Sequence, residues 1–236
     1  KPEVFLTSQA DNKLQKLNED AVGPAYHDIA LKAGVTAQRP YSGGDVLPST
    51  AWHPEFDDVN NDSYVDLFIA KGNVEGQPDY AKNDPNNLLL GTKNGTFIER
   101  GDKAGVANAS RARGAALVDL NLDGLLDLVV VNRRVNVEVK RNVGSGNAAS
   151  PRPMGHWLAI RPHQTGPNVD AIGAWIEVRV GSRTISREVT IGGGHASGEL
   201  GWAHFGLGDA KSADVRVQFP GRQPGAWTHV DAGGFY

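Results

Sequence analysis

Seven carboxylates of this 236-residue chain fall in two short segments, Asp57 to Asp66 and Asp119 to Asp127. Within them, oxygen-bearing side chains recur at positions 1, 3, 5 and 9 of a loop. They are Asp58, Asn60, Asp62 and Asp66 in the first loop, and Asp119, Asn121, Asp123 and Asp127 in the second. Alternate spacing lets a tight turn aim three side chains inward while the residues between point out. The backbone carbonyl at position 7, of Tyr64 or Leu125, can add a further oxygen. Hard oxygen donors, about six to eight of them, suit Ca²⁺ better than zinc or copper. The pattern therefore predicts two Ca²⁺ sites, one per loop, in a structural role. Gly124 at position 6 permits a sharp turn, whereas Ser63 stands there in the first loop and predicts a more strained, weaker site.

An EF-hand is excluded, because its bidentate Glu at position 12 is Ile69 in one loop and Val130 in the other. The competing reading is an acidic turn whose Asp and Asn side chains only bond the backbone. Nucleophilic or metal-dependent catalysis finds less support. The chain has seven histidines, but no His-Glu-x-x-His, no Gly-x-Ser-x-Gly and no phosphate loop. Gly192 to Gly194 reads as a turn or an anion cradle. An extracytoplasmic enzyme acting on a saccharide or other small substrate stands as the alternative to a non-enzymatic module. Arg100-Gly101-Asp102 spells an integrin-recognised tripeptide, yet Ala30-Leu31-Lys32 fills the aligned place in the other repeat. Asn61, Asn94 and Asn108 open glycosylation sequons at a frequency that chance explains.

The charge balance, 24 Lys and Arg against 27 Asp and Glu, gives −3 and argues against a nucleic-acid partner. No apolar run reaches the roughly 18 residues of a membrane span. With no cysteine, disulfides and thiolate metal sites are excluded. Twenty-nine glycines and short β-branched runs between turn residues predict many short strands, hence an all-β fold. The first residues, Lys1-Pro2, carry neither initiator Met nor leader, as after signal removal or within a longer protein. A secreted, periplasmic or cell-surface location is expected.

Repetition organises the first part. Tyr26 to Val35 parallels Phe97 to Val106, and each unit precedes an acidic loop and an apolar run, Leu67 to Ala70 or Leu128 to Val131. The longer spacing in the first copy places an insertion at Gly43 to Pro48. Residues 1–25 read as an N-terminal segment, 26–147 as two repeats, and 148–236 as a C-terminal β domain beyond a linker at 143–153. In that domain Ile176, Val178 and Val180 share one face, Gly181-Ser182 is a hairpin turn, and Val215 to Phe219 alternates again. A small antiparallel sandwich is predicted. Trp52, Trp157, Trp175, Trp202 and Trp227 read as core or interdomain anchors.

The acidic loops, with Asn86 to Leu90 and Lys93 to Phe97 behind the first, resemble FG-GAP/VCBS repeats over residues 26–147. That family builds β-propeller blades, and the resemblance places its calcium ligands on the eight loop side chains above. Gly155 to Leu158, Asp170 to Ala174, Gly192 to His195 and His204 to Gly208 resemble the ASPIC/UnbV domain of cartilage-acidic-protein-like proteins, over residues 154–222. Together these imply incomplete propeller-like blades followed by a small sandwich. Propellers usually need about four to eight blades, so further blades or a protein partner are expected at the open edges.

Overall fold

The computed structural model describes residues 3–20, 22–36, 47–75 and 77–236. Residues 43–46 of the inferred insertion lie outside them. The chain is nearly all β, with antiparallel sheets that do not close into a barrel. A three-stranded sheet opens it, formed by β1 (Val4–Leu6), β2 (Lys13–Leu17) and β3 (Tyr26–Asp28), and followed by the single turn α1 (Ala30–Ala33). The second sheet has four strands, β4 (Ala51–Asp57), β5 (Asp66–Lys71), β6 (Asn87–Gly91) and β7 (Phe97–Glu99), and is followed by α2 (Gly101–Ala104). The third comprises β8 (Ala112–Val118), β9 (Asp127–Asn132) and β10 (Glu138–Lys140).

The repeat seen in the sequence is a strand, one helical turn and a glycine stop. Gly34 ends α1 at φ 80° and Gly105 ends α2 at φ 70°, the left-handed conformation that glycine adopts without a Cβ penalty. This equivalence matches β3 to β7, so β1–β3 correspond to β5–β7. Among the described residues the first sheet lacks a counterpart of β4, and the third lacks a counterpart of β7. The N-terminal segment is thus built into a sheet with the start of the first repeat. Its strands carry no acidic loop to announce them.

The three sheets stack face to face. Leu67 and Ile69 of β5 pack towards Leu14, Ala30 and Val35. Phe68 and Ala70 pack the opposite way, towards Ala115, Leu117, Leu128 and Val130. Every residue of β5 is buried, as alternation requires of a strand covered on both faces. Buried apolar area on this scale stabilises by roughly 25 cal/mol per Å², and it fixes the loops at the ends of β4–β5 and β8–β9.

The C-terminal domain is a sandwich. A pair, β11 (His156–Ile160) with β14 (Ala203–Gly208), faces a four-stranded sheet. That sheet comprises β12 (Trp175–Val180), β13 (Arg183–Glu188), β15 (Ser212–Gln218) and β16 (Thr228–Asp231). Leu158, Ile160, Phe205 and Leu207 interdigitate with Ile176, Val178 and Val215. Gly181 supplies a positive φ of 59° in the two-residue turn between Val180 and Arg183. The segment read as a linker is a folded loop, closed by Ser145 N–H to Arg152 O at 3.0 Å and Arg152 N–H to Val143 O at 3.0 Å.

Candidate functional site

The two acidic loops are the connections of the β4–β5 and β8–β9 pairs, and their hydrogen bonds repeat residue for residue. Asp58 accepts from Asp62 N–H (3.1 Å) and Ser63 N–H (2.7 Å). Asp119 accepts from Asp123 N–H (3.1 Å) and Gly124 N–H (2.7 Å). Asp62 accepts from Tyr64 N–H and Asn60 Nδ2; Asp123 accepts from Leu125 N–H and Asn121 Nδ2. Asp66 closes the first loop on Val59 N–H at 2.9 Å, and Asp127 closes the second on Leu120 N–H at 3.3 Å. Positions 4 and 6 are left-handed in both, at Asn61 (57°), Leu122 (60°), Ser63 (72°) and Gly124 (81°). The strain foreseen at Ser63 is present, since a Cβ in this region crowds the backbone.

The electrostatics of the loops are repulsive. Burial pushes the Asp58 carboxyl up to about 7; the charges of Asp62 and Asp57 push the same way, while the N–H of Ser63 opposes them. Burial likewise raises Asp66 to about 8, with Gly91 N–H opposing and Asp58 and Asp62 adding. Asp127 is raised by burial first, and by Asp123 and Asp119. Among the described residues no three acidic, His or Cys side chains converge as they stand into a metal-holding group. The donor chemistry nonetheless fits a hard cation. An ionised carboxylate has about four lone-pair sites; each oxygen here spends one on an N–H, and Asp123 Oδ2 spends a second on Arg141 Nη2 at 3.2 Å. The mutual repulsion is what a divalent ion would relieve.

The loops also form a seat for the C-terminal domain, which the sequence did not announce. Asn61, 1% exposed, donates Nδ2–H to Gly124 O at 2.9 Å and so joins the loops to each other. Its Oδ1 accepts from His204 Nε2 at 2.7 Å, and its backbone O accepts Gly208 N–H at 2.8 Å. Glycines make this contact possible. A Cβ at Gly206 would lie 2.0 Å from Asp58 Oδ2, at Gly155 2.2 Å from Asn61 O, and at Gly124 1.8 Å from Trp157 Nε1. Trp157 stacks on His204 at 5.8 Å. Burial holds the His204 imidazole down at about 4, so it is neutral at pH 7. Arg183 donates to Ser63 Oγ at 3.0 Å and lies 4.0 Å over the Tyr64 ring.

Beside the seat, β4 and parts of the 192–202 loop line a cleft of about 420 Å³. It holds His53, Glu55, Asp57, Arg187, Glu199 and Trp202. Arg187 clamps Asp57 through both terminal guanidinium nitrogens, at 2.8 and 2.5 Å. His53 Nε2 meets Glu55 Oε2 at 3.1 Å, and Ser197 Oγ lies 2.7 Å from Nδ1 but also 3.5 Å from Nε2. Such similar distances put the hydroxyl beside the ring, not out along the Nδ1 lone pair, where the second nitrogen would be far more distant. The geometry suits docking of the loop better than proton transfer, which needs alignment. A separation of 144 residues hid this meeting from sequence reading. His195, one of the glycine-run residues, instead packs its ring 4.9 Å from Trp52. The Arg100-Gly101-Asp102 tripeptide forms the entry to α2, with Gly101 buried.

Trp52 against His195 and Trp157 against Gly124 join the domains to each other, while the guanidiniums of Arg179 and Arg216 lie 4.3 and 4.4 Å from the Trp227 ring. No helix among the described residues is long and apolar enough to cross a membrane.

Comparison with known families agrees with this division. Residues 58–130 match the FG-GAP-like repeat, and residues 164–236 match the family described as ASPIC and UnbV. Cartilage acidic protein 1 of Mus musculus is 34% identical over 145 residues, covering 55% of this chain and 19% of the relative. The chain thus spans about a fifth of that relative's length. Both acidic loops lie in the first matched segment, and most of the sandwich that rests on them lies in the second. The chain therefore joins an FG-GAP-like repeat segment to an ASPIC/UnbV domain.

Proposed function

We propose that the chain is an extracellular protein-interaction module whose two acidic loops bind structural Ca²⁺ and thereby hold the C-terminal domain in place. The observation that carries the reading is the shared position of the two loops. They have the same hydrogen-bond pattern, are joined through Asn61 and Gly124, and form the surface on which Gly155, Trp157, His204 and Gly206 rest. Asp58, Asn60, Asp62 and Asp66 would hold one ion, with the carbonyl of Tyr64. Asp119, Asn121, Asp123 and Asp127 would hold the other, with that of Leu125. The ion supplies charge neutralisation; the chain supplies a rigid floor.

The partner-facing part is the incomplete sheets. Among the described residues β10 ends the third sheet as an outer edge, and β1 ends the first as an inner one. An unpaired edge offers N–H and C=O groups to a further blade or a partner strand. The outward face of the third sheet is apolar: Ala116, Val129 and Val139 are in register, and Val131 and Val139 are 43% and 62% exposed.

Calorimetry on chelator-stripped protein tests the metal reading. Two sites are expected, with Kd on the order of 10⁻⁴–10⁻³ M, the Gly124 loop being the tighter. At free Ca²⁺ 100-fold above Kd each site should add about 2.7 kcal/mol to stability. Absence of binding heat, or heat unchanged by Asp62→Ala with Asp123→Ala, would sink it.

A further inference from the structure

Four arginines meet at the ends of β8 and β9, away from the acidic loops. Arg111 and Arg113 stand at the start of β8, and Arg133 and Arg134 follow β9 directly. Among the described residues one carboxylate, Glu75, pairs with three of them. Its Oε1 accepts from Arg134 Nη1 at 2.7 Å and Arg111 Nη1 at 3.2 Å, and Arg133 Nη2 lies 3.8 Å from Oε2. Four guanidiniums against one carboxylate leave a local excess of positive charge in a chain whose formal charge is −3.

Structural needs do not account for that excess. Arg113 is the structural member. It donates to the carbonyls of Gly72, Asn73 and Ala112 at 3.0, 3.0 and 2.8 Å, and lies 4.3 Å over the Trp52 ring. Its own proton affinity is lowered, by burial first and then by Arg133 and Arg111, so the neighbouring charges are repulsive to it. The other three are surface groups, with Arg134 68% exposed at the side chain. Two of them, Arg111 (φ 59°) and Arg134 (φ 62°), hold left-handed backbone conformations that L-residues adopt at a cost. Gly72 is bare where a Cβ would lie 2.3 Å from Arg111 Cα, so the close approach of the 72–75 segment depends on it. Strained backbone here brings like charges together on one surface carboxylate.

We propose that this cluster is a docking site for a carboxylate-rich peptide segment of a partner protein, bound through the guanidinium N–H groups that Glu75 leaves unused. Each guanidinium carries five N–H donors in a planar fork that matches a carboxylate. Glu75 takes one from Arg134 and one from Arg111 and shows that the spacing accepts a glutamate side chain. The convergence of three groups on one carboxylate is compact. It suits a few neighbouring side-chain carboxylates of a peptide better than the long track of sulfates on a polysaccharide.

Fluorescence anisotropy with a labelled deca-glutamate peptide and the intact chain tests the site. Binding should weaken as salt rises, because the contacts are exposed charges. Arg133→Ala with Arg134→Ala should weaken it by about tenfold, and the Lys pair should restore part of the loss. Glu75→Gln should strengthen it several-fold, since an internal competitor is removed. An unchanged affinity in the double alanine variant, with its thermal melt preserved, overturns the proposal. So does weaker binding in Glu75→Gln, which would mark Glu75 as a strut for the peptide. Binding of a heparin decasaccharide with none of the peptide overturns it in favour of a glycan.

Discussion

Asn61→Leu isolates the contact between the acidic loops and the C-terminal domain, because the second loop already carries leucine at the equivalent place. Leu122 has φ 60°, close to the 57° of Asn61, so the turn itself accepts that side chain. Leu122 is 63% exposed, whereas Asn61 is buried beneath the sandwich. The substitution removes the 2.9 Å bond to Gly124 O and the 2.7 Å bond from His204 Nε2, leaving both partners buried. An unpaired buried group costs about 1–3 kcal/mol, so two of them give a loss of about 3 kcal/mol after partial relaxation. Urea unfolding at pH 7 and fixed Ca²⁺ measures it, with Leu122→Asn as the reciprocal control, expected within about 0.5 kcal/mol of the parent. If Asn61→Leu costs under about 1 kcal/mol, or the control costs as much, the seat does not hold the domains together as argued.

Three further outcomes follow from the same geometry. His204 titrates near 6.5 when unfolded and near 4 when folded, so the unfolded chain binds the extra proton between those values. Its contribution is fully present above pH 6.5 and falls by about 3 kcal/mol as pH drops to 4; His204→Gln, which keeps a donor for Asn61, should flatten that part of the stability–pH curve. Gly124→Ala and Gly95→Ala both force alanine into a positive φ, 81° and 73°, but only the first meets a neighbour, Trp157 at 1.8 Å. Thermal melts should show a loss of about 1–2 kcal/mol for Gly95→Ala and clearly more for Gly124→Ala; equal losses would remove Trp157 from the account. Sedimentation of the Ca²⁺-loaded chain should show self-association or capture of a partner over an interface of at least about 1,000 Å². A monomer with exchange-protected amides in β1 and β10 would show that the edges are covered internally.

Spacing alone determines a good deal of the chain's local structure. Oxygen side chains at every second position dictate a turn that folds back on its own N–H groups, and both loops do so. Gly181 ahead of Ser182 dictates a tight turn with positive φ, and alternation in Trp175–Val180 dictates a strand with one buried face. These are local rules, set by φ/ψ sterics and by the two-residue period of a strand, so neighbours in sequence suffice to apply them. What only the tertiary structure decided lies between distant residues. Asn61 meets His204 across 143 positions, His53 meets Ser197 across 144, and Arg134 meets Glu75 across 59. Even Gly124, legible as a turn residue, has a second role as the space Trp157 occupies. Such meetings depend on how whole sheets stack and where a sandwich comes to rest. That is fixed by the summed burial of three apolar cores rather than by any short pattern, and the same summation builds Val4–Leu6 and Lys13–Leu17 into a sheet that no local pattern marks.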